Sequence, residues 1–373
     1  MSGEQRKLAI CIPTHHGRAP YLRELLGSIA RQMPSGRERQ IEICISDNAS
    51  ADGTRELVAD LRSSIGVPVK YFRFEQDMRG VRNFLNVVDM AEADYCWLVG
   101  SDDLILPGGI ERILATLDRS PEVQGLSVNK LNFDRSLQKS MGPDHELVLP
   151  SHPACSRMLT GLEEIASNLA LSLTFMSAHI FRRHVWQEIV REVGLDGLCA
   201  MRHFPHTYVY LRIAGGEGRW YWLAEYCVIQ RLDNFSILEE NDRLLSAYVA
   251  EVTDDLEKVW LATVPADRVW SDLMRRLFFL YWNPIDVFLR LTDRRVKWDD
   301  QRQMREDCVR RFRAYPMFWL TTYPVLWVPV PVCRAIFTAG RAIDRVLPLE
   351  AAAQGLLTWL GAAIGRTRGG DRD

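Results

Sequence analysis

The first 117 residues alternate between short apolar runs and longer stretches of helical periodicity. Four apolar runs have the length expected of buried strands, at residues 8–12, 41–45, 69–74 and 95–99. After each run the apolar residues lie three or four positions apart, as on one face of a helix, at residues 21–32, 54–62, 80–90 and 107–117. Because strands and helices that alternate at this spacing form right-handed βαβ units, the pattern predicts an α/β fold whose mostly parallel sheet carries helices on both faces.

The pattern changes in the second half of the chain. Residues 121–235 mix short strand-like runs with loops, residues 240–313 are helical and charged, and residues 314–333 contain no charged side chain. Four prolines in that last segment disfavour a straight membrane-spanning helix, but its tyrosines and tryptophans and the flanking arginines suit a membrane interface. We therefore predict a catalytic domain over 1–238 and a helical region over 239–373 whose segment 314–333 contacts a membrane. A soluble helical cap is the alternative.

Composition narrows the classes of function. The 373 residues are 47% apolar and 25% charged, and the net charge is −2. The chain therefore lacks the excess of positive charge that is typical of nucleic-acid-binding proteins. The eight cysteines form no CxxC pair, which indicates a reducing compartment without disulfides or a zinc site. The five apolar residues after the charged N-terminal stretch are too few for a signal peptide. We expect a cytoplasmic protein.

Polar residues collect at the carboxyl ends of the predicted strands, where ligands of such sheets bind. The fourth strand runs into Gly100, Ser101, Asp102 and Asp103. Two neighbouring carboxylates at a strand end can hold Mg²⁺ or Mn²⁺, and such a cation neutralises a diphosphate. The alternative is that either carboxylate only caps the helix that begins near Pro107.

The second strand ends at Asp47, which can accept a hydrogen bond from a nucleobase N–H. Residues 48–54 after it have the composition of a turn that caps the next helix, and this reading explains Asp47 less well than its neighbours. Asp47 is therefore a candidate for binding a nucleotide.

The first strand ends in a second group of candidates. Pro13 and Thr14 would bring the backbone close to a ligand, and Arg18 faces either a phosphate or solvent. The tandem histidines His15 and His16 suggest a metal ion, although adjacent side chains rarely converge on one ion.

These segments, in this order and spacing, resemble the family 2 glycosyltransferases of Rossmann-like GT-A fold. The stretch Arg79 to Phe84 is similar to the family's glycine and asparagine motif, with an ordinary helix start as the alternative. The resemblance covers residues 7–118 well and 170–236 more loosely. The stretch Tyr95 to Asp103 is most similar to the abequosyltransferase-like branch, which makes O-antigen side branches.

The resemblance implies a nucleotide-sugar donor and a divalent cation, Mg²⁺ or Mn²⁺. Asp102 matches the second aspartate of the family's Asp-x-Asp motif, whereas Gly100 stands at the first, which leaves the strength of metal binding open. Metal would be bound by Asp102 and Asp103. The donor-binding residues implied are Pro13, Thr14, Arg18, Asp47, Arg82, Asn83, Ser101, Asp102 and Arg231.

The resemblance also points to the end of the catalytic half. Arg231 would stabilise the leaving diphosphate, where negative charge develops during transfer. Asn234 and Ser236 either shape a loop over the donor or belong to a plain polar loop.

The catalytic base implied is His206. Inverting members of the family use an aspartate near a helix start to deprotonate the acceptor, and His206 stands at that position before Leu211 and Arg212. A histidine titrates near neutral pH and can do this work. A metal or phosphate contact and a purely structural histidine are the alternatives.

The function implied is transfer of a sugar to a hydroxyl of a polyprenyl-diphosphate-linked glycan at the inner face of the cytoplasmic membrane, in bacterial surface polysaccharide synthesis. A non-catalytic membrane scaffold is an alternative because Gly100 and His206 depart from the family pattern. A nucleotidyltransferase would be expected to carry a glycine-rich, basic loop after its first strand, and residues 13–18 hold one glycine.

Overall fold

The computed structural model describes residues 6–142, 152–216, 218–232, 245–264, 271, 273–278 and 282–344. These residues fall into two compact units. The first contains the described residues up to 232 together with 255–264, and the second contains 245–254 and the described residues from 271 onward.

The first unit opens with the predicted alternation of strands and helices, which is confirmed. The strands are β1 (Leu8–His15), β2 (Ile41–Asn48), β3 (Val69–Arg73) and β4 (Tyr95–Leu98), and they pair in parallel in the order β3-β2-β1-β4. Every residue of β1 and β2 except the last is buried, so both faces of these strands are covered. The helices are α1 (Ala19–Ala30), α2 (Thr54–Leu61), α3 (Arg79–Asp89) and α4 (Gly109–Arg119).

Local chemistry sets where these helices begin. Helix α1 has a proline in its first turn, at Pro20, where a fixed φ and a missing N–H cost nothing. Helix α2 is preceded by Gly53 at a φ of 83°, a left-handed conformation that favours glycine. Before α1, Asp52 accepts hydrogen bonds from the backbone N–H of Gly17 (2.7 Å) and Ala19 (3.2 Å), so one carboxylate joins the loops that follow β1 and β2.

The sheet continues past β4 with mixed pairing. The remaining strands are β5 (Leu104–Ile105), β6 (Gly125–Phe133), β7 (Ser140–Gly142), β8 (Arg157–Thr160), β9 (His179–Arg182) and β10 (Arg219–Arg231). Strand β9 lies antiparallel between β4 and β6, and β10 lies parallel to β6. The parallel half is therefore the part with the clear alternation, and the later strands make the whole sheet mixed.

Close packing fixes the pairing of β6 with β10. Gly125 lies opposite Trp220, and a Cβ at Gly125 would lie 2.3 Å from the indole ring. Only glycine fits there without moving the ring. Helices α5 (Leu162–Leu169), α6 (Arg183–Cys199) and α7 (Pro205–Gly215), together with the helical residues 255–263, complete the unit.

The second unit is helical, as the sequence indicates. Trp282, Phe312 and Phe318 are fully buried in its core. Its elements are part of α8 (Leu245–Thr263), then α9 (Pro284–Leu291), α10 (Trp298–Phe312), a π-helical turn (Phe318–Thr322), α11 (Tyr323–Val325) and α12 (Val330–Asp344). Within the described residues, no single helix combines the length and low charge needed to cross a membrane, whereas the pair Phe318–Val325 and Val330–Ala339, bent by 93°, meets the same criterion jointly.

Candidate active site

The carboxyl ends of β1 and β2 meet at one edge of the sheet, as the parallel topology requires. Thr14 lies opposite Asp47, and Asn83 on α3 donates a 2.9 Å hydrogen bond from Nδ2 to the carbonyl of Thr14. All three side chains are buried. Neither Thr14 Oγ1 nor Asn83 Oδ1 has a hydrogen-bond partner within the described part of the chain. Because unsatisfied buried polar atoms are costly, they mark a place for a further polar group.

Asp47 is fully buried and already holds two donors. Its Oδ1 accepts from the backbone N–H of Ser50 at 2.9 Å, and its Oδ2 accepts from the Tyr71 hydroxyl at 2.6 Å, with Arg73 Nε 3.8 Å away. Burial and the Asp47 charge raise the pKa of the Tyr71 hydroxyl. A carboxylate has about four lone-pair sites, so Asp47 keeps acceptor capacity for a base, and that contact stays a prediction.

The acidic turn after β4 pairs one accessible carboxylate with one buried carboxylate. The side chain of Asp102 is 23% exposed, whereas Ser101 and Asp103 are buried. Asp103 accepts hydrogen bonds from Ser177 Oγ (2.5 Å) and from the backbone N–H of Arg231 (3.2 Å). Burial, and then the charge of Asp102, raise the pKa of Asp103 to about 8.

The structure gives a physical reason for Gly100. A Cβ at that position would lie 2.9 Å from Asp103 Oδ2 and 3.3 Å from Asp102 Oδ1, so both carboxylates approach the space that glycine leaves. The backbone N–H of Gly100 donates to Ser177 Oγ at 2.8 Å, the same hydroxyl that donates to Asp103. The position that lacks the family's aspartate is therefore filled from the next turn by Asp103.

The two carboxylates form an oxygen-only donor set of the kind that Mg²⁺ and Mn²⁺ prefer. Asp102 is accessible, and the hydrogen-bonded oxygens of Asp103 retain lone pairs. The residues present therefore fit a hard divalent cation beside Gly100. The structure does not contradict the predicted metal ligands.

Arg18 is brought into this site. Its Nη1 lies 2.8 Å from Asp102 Oδ2, and its Nε donates to His15 Nε2 at 3.2 Å. His16 bonds elsewhere, accepting from the backbone N–H of Ala51 at 3.3 Å on Nδ1, so the tandem histidines do not converge on one ion. Pro13 is buried in β1, and Arg82 is exposed on α3.

Arg231 lies behind the acidic turn. It is 6% exposed, its Nε donates to the carbonyl of Asp102 at 2.9 Å, and its guanidinium lies 4.8 Å from the ring centroid of Tyr21. Its two terminal nitrogens donate to Glu24 and to the carbonyl of Arg135. Since all three side-chain nitrogens hold protein acceptors, the Arg231 side chain positions the backbone of the acidic turn, and its contact with a diphosphate stays a prediction. Asn234 and Ser236 lie outside the described residues.

Two residues of the site escape sequence reasoning. Ser177 reaches Asp103 and Gly100 from the segment before β9. Lys130 on β6 is 9% exposed, lies 4.6 Å from the ring centroid of Phe175, donates to Gln230, and its charge acts on Asp103. A lysine within the buried half of a strand is the signal that could have revealed Lys130. For Ser177 the sequence carries no such signal.

His206 lies at the start of α7, next to Pro205, and is 3% exposed. Its Nε2 donates to the carbonyl of Thr174 at 2.9 Å, because a carbonyl only accepts, and Nδ1 has no partner among the described residues. Burial lowers the pKa of His206 to about 4. The imidazole is therefore neutral at physiological pH, with its lone pair on Nδ1, and His206 and Phe84 both line a cavity of about 10 Å³.

The neighbouring histidine does not join His206. His203 Nδ1 lies 2.7 Å from Asp255 Oδ2, within the same unit. Pro205 separates the two histidines. The two histidines therefore hold different partners, and the described residues give no indication that they share a ligand.

Known proteins with similar sequences are glycosyltransferases. The family described as glycosyl transferase family 2 matches residues 9–166. The abequosyltransferase RfbV of Salmonella typhimurium is 30% identical over 251 residues, which are 65% of this chain and 72% of that protein. An uncharacterized glycosyltransferase of Mycoplasma pneumoniae, the MG060 homolog, is 22% identical over 115 residues, 31% of this chain and 38% of that protein.

Solved structures agree on the fold. Residues 1–349 of S. aureus TarS in complex with UDP-GlcNAc match with a TM-score of 0.58 and 16% identity, covering 83% of this chain and 82% of that chain. The complex of the same protein with UDP matches with a TM-score of 0.55 and 19% identity, covering 83% and 81%. The predicted GT-A fold is confirmed. The chain belongs to the family 2 glycosyltransferases.

Proposed function

We propose that the protein transfers a sugar from a nucleoside diphosphate sugar to a hydroxyl group of a glycan acceptor. The observation that carries the proposal is the convergence of Asp102 and Asp103 beside Gly100, at the same sheet edge as Asp47. The relative RfbV is an abequosyltransferase, and TarS has been solved with UDP and UDP-GlcNAc. Both support a nucleotide-sugar donor.

The nucleoside would lie over β1 and β2. Asn83 Oδ1 can only accept a hydrogen bond, so its missing partner is an N–H or O–H, which both a base and a ribose offer. Asp47, which lies opposite Thr14 on the neighbouring strand, adds a second acceptor. The pairing of acceptors with the donors of a nucleoside supports this placement.

The diphosphate would lie over the acidic turn. Asp102 and Asp103 would hold Mg²⁺ or Mn²⁺, which supplies positive charge for the diphosphate when it is bound. Arg18 now neutralises Asp102, so a ligand that takes over Asp102 leaves the Arg18 guanidinium able to pair with phosphate oxygens. Ser177 Oγ and the backbone N–H of Arg231 hold the Asp103 carboxylate, and the Arg231 side chain holds the backbone carbonyl of Asp102.

His206 is the proposed base, and the proposed transfer is inverting. Its Nδ1 lone pair is available at all pH values above about 4 because burial keeps the ring unprotonated. Since His206 is 3% exposed, the acceptor hydroxyl reaches Nδ1 only if side chains that cover the ring, such as Phe84, move aside. In the competing hypothesis His206 is structural: its hydrogen bond to Thr174 stabilises the fold, and the ring does not contact the acceptor.

The acceptor is proposed to be a polyprenyl-diphosphate-linked glycan of bacterial surface polysaccharide, reached by a protein bound peripherally to the inner face of the cytoplasmic membrane. The relation to an abequosyltransferase supports a polysaccharide acceptor and a hexosyl or deoxyhexosyl group as the sugar transferred. The exposed aromatic residues of the second unit support the membrane location.

The test is a panel of nucleotide sugars in a thermal-shift assay with and without Mn²⁺. A donor at about 100 times its Kd stabilises the native state by about 2.7 kcal/mol, so the true donor raises the Tm by several degrees. Asp102→Asn should abolish the Mn²⁺-dependent part of the shift, whereas the exposed loop variant Glu122→Gln should keep it. If no nucleotide sugar shifts the wild-type Tm, the scaffold alternative replaces the proposal.

A further inference from the structure

Exposed apolar side chains concentrate in one stretch of the second unit. Among the described residues, six of the twelve large apolar side chains that are exposed lie between positions 317 and 336. We call these six the apolar patch: Met317, Trp319, Leu320, Trp327, Val332 and Ile336. Exposed apolar side chains that are grouped rather than scattered mark a binding surface.

A basic groove lies beside the patch. It encloses about 430 Å³ and is lined by Arg305, Glu306, Val309, Arg310, Arg313 and Tyr323. Arg310 is paired with Asp254 at 2.9 Å. Arg305 has a buried Nη1 without a partner in the described part of the chain, and its guanidinium lies 3.9 Å from the ring centroid of Trp327. This groove, which we call the arginine groove, therefore holds positive charge that internal carboxylates do not fully neutralise.

An aromatic ladder joins the groove to the patch. The ring centroids of Trp319 and Tyr323 are 4.7 Å apart, and those of Tyr323 and Trp327 are 6.1 Å apart. Trp319 Nε1 donates to the carbonyl of Arg313 at 2.9 Å, which ties the ladder to the rim of the groove. The arginines of the groove, the aromatic ladder and the aliphatic side chains of the apolar patch thus lie next to one another within the second unit.

We propose that this surface docks on a bilayer that contains anionic phospholipid, with a phosphodiester headgroup in the arginine groove and the apolar patch at the acyl boundary. It rests on the proposed location of the enzyme at a membrane. Tryptophan and tyrosine favour the headgroup level of a bilayer, and arginines beside them attract anionic lipid. The Arg305 guanidinium over Trp327 is held at this boundary by a cation–π contact.

The charge pattern favours lipid over a second copy of the chain. A twofold interface brings the same surface of both copies together, so Arg305 and Arg313, which contact the exposed rings, would face their own positive charges. A bilayer instead presents phosphates above an apolar layer, which is the order that the groove and patch complement. Phosphodiester oxygens also offer acceptors for the guanidinium groups of Arg305 and Arg313 that line the groove.

The experiment is flotation of the full chain with vesicles of phosphatidylcholine, with and without phosphatidylglycerol. Wild-type protein should float with the anionic vesicles and remain largely unbound with the neutral ones. Each arginine near an anionic surface contributes roughly fivefold to binding, so Arg305→Gln with Arg313→Gln should weaken it about 25-fold. Arg62→Gln with Arg191→Gln removes the same charge from exposed positions of the first unit and should have no such effect.

The apolar half of the surface has its own matched pair. Leu320 is 74% exposed and Leu261, in the first unit, is 62% exposed. Leu320→Gln should weaken flotation severalfold, whereas Leu261→Gln should not, and both side chains are exposed enough that folding is retained. Melting curves of all variants verify the fold.

Three results would overturn the inference: equal flotation of the groove variant and its charge-matched control, equal binding to both vesicle types, or a dimer that Leu320→Gln dissociates in the absence of vesicle binding. An assay of sugar transfer to a water-soluble acceptor tests the proposed function separately from this inference. Flotation without any transfer leaves the docking surface standing and removes the enzymatic proposal, and transfer without flotation does the reverse.

Discussion

Gly100 offers the sharpest test of how the acidic turn is built. The family resemblance alone suggests that an aspartate at this position would restore a missing metal ligand. The structure predicts the opposite, because a Cβ there would lie 2.9 Å from Asp103 Oδ2, closer than real Cβ atoms approach oxygen. Gly100→Asp and Gly100→Ala should therefore both displace the Asp103 carboxylate.

The magnitude follows from the contacts that the displacement breaks. Asp103 would move off the 2.5 Å hydrogen bond from Ser177 Oγ. Because the pKa of Asp103 is raised to about 8, the carboxyl is largely protonated at neutral pH, and such a hydrogen bond contributes about 0.5–1.5 kcal/mol. Gly100→Ala should lower the free energy of unfolding by roughly this amount. Gly100→Asp adds a third carboxylate to two others, so its loss should be larger, and Mn²⁺ should restore part of it.

Urea unfolding at several Mn²⁺ concentrations measures both effects. Gly215→Ala is the matched control, because a Cβ at Gly215 meets Leu162 at an ordinary 3.8 Å and a helical alanine is favourable. The reasoning is refuted if Gly100→Asp binds Mn²⁺ more tightly than wild type with its stability unchanged. That outcome would mean that the carboxylates do not occupy the space beside Gly100.

Three further predictions concern two buried residues of the first unit. Arg231→Lys keeps the charge but loses the planar set of donors that holds Asp102, so Mn²⁺ affinity in a thermal-shift titration should fall 10- to 100-fold; an unchanged affinity would contradict the positioning role. His206→Gln should lower kcat about 10²- to 10⁴-fold at unchanged donor affinity if His206 is the base, and full turnover would leave it a structural residue. The same variant tests the burial of His206. The pKa of His206 is about 4 in the native state and about 6.5 in the unfolded chain, so between pH 6.5 and pH 4 the unfolded chain binds a proton that the native state does not. The free energy of unfolding should then fall by about 1.4 kcal/mol per pH unit as pH drops from 6.5 to 4, and this share of the slope should vanish in His206→Gln but persist in the exposed His184→Gln.

The sequence by itself determined the parallel half of the sheet. Predicted runs such as 8–12 and 69–74 lie within Leu8–His15 and close to Val69–Arg73, because apolar periodicity reports burial over a few residues. It also identified which residue types collect at the strand ends, since the carboxyl ends of parallel strands share an edge.

Only the tertiary structure decided the other half of the sheet. Strand β9 inserts antiparallel between β4 and β6, and β10 pairs with β6 through the contact of Trp220 with Gly125. These pairings join residues far apart in the chain, and no local pattern distinguishes them from other pairings of short strands.

The site divides in the same way. Sequence pattern located Asp102 and Asp103, but it could not reveal that Asp103 fills the space beside Gly100 or that Arg231 holds Asp102 from 129 positions away. Periodicity records which side chains are buried, whereas the partner of a buried charge depends on how distant segments pack. For that reason the sequence alone predicted a candidate site at the strand ends, and the tertiary structure decided which of its side chains are accessible and which hold the others in place.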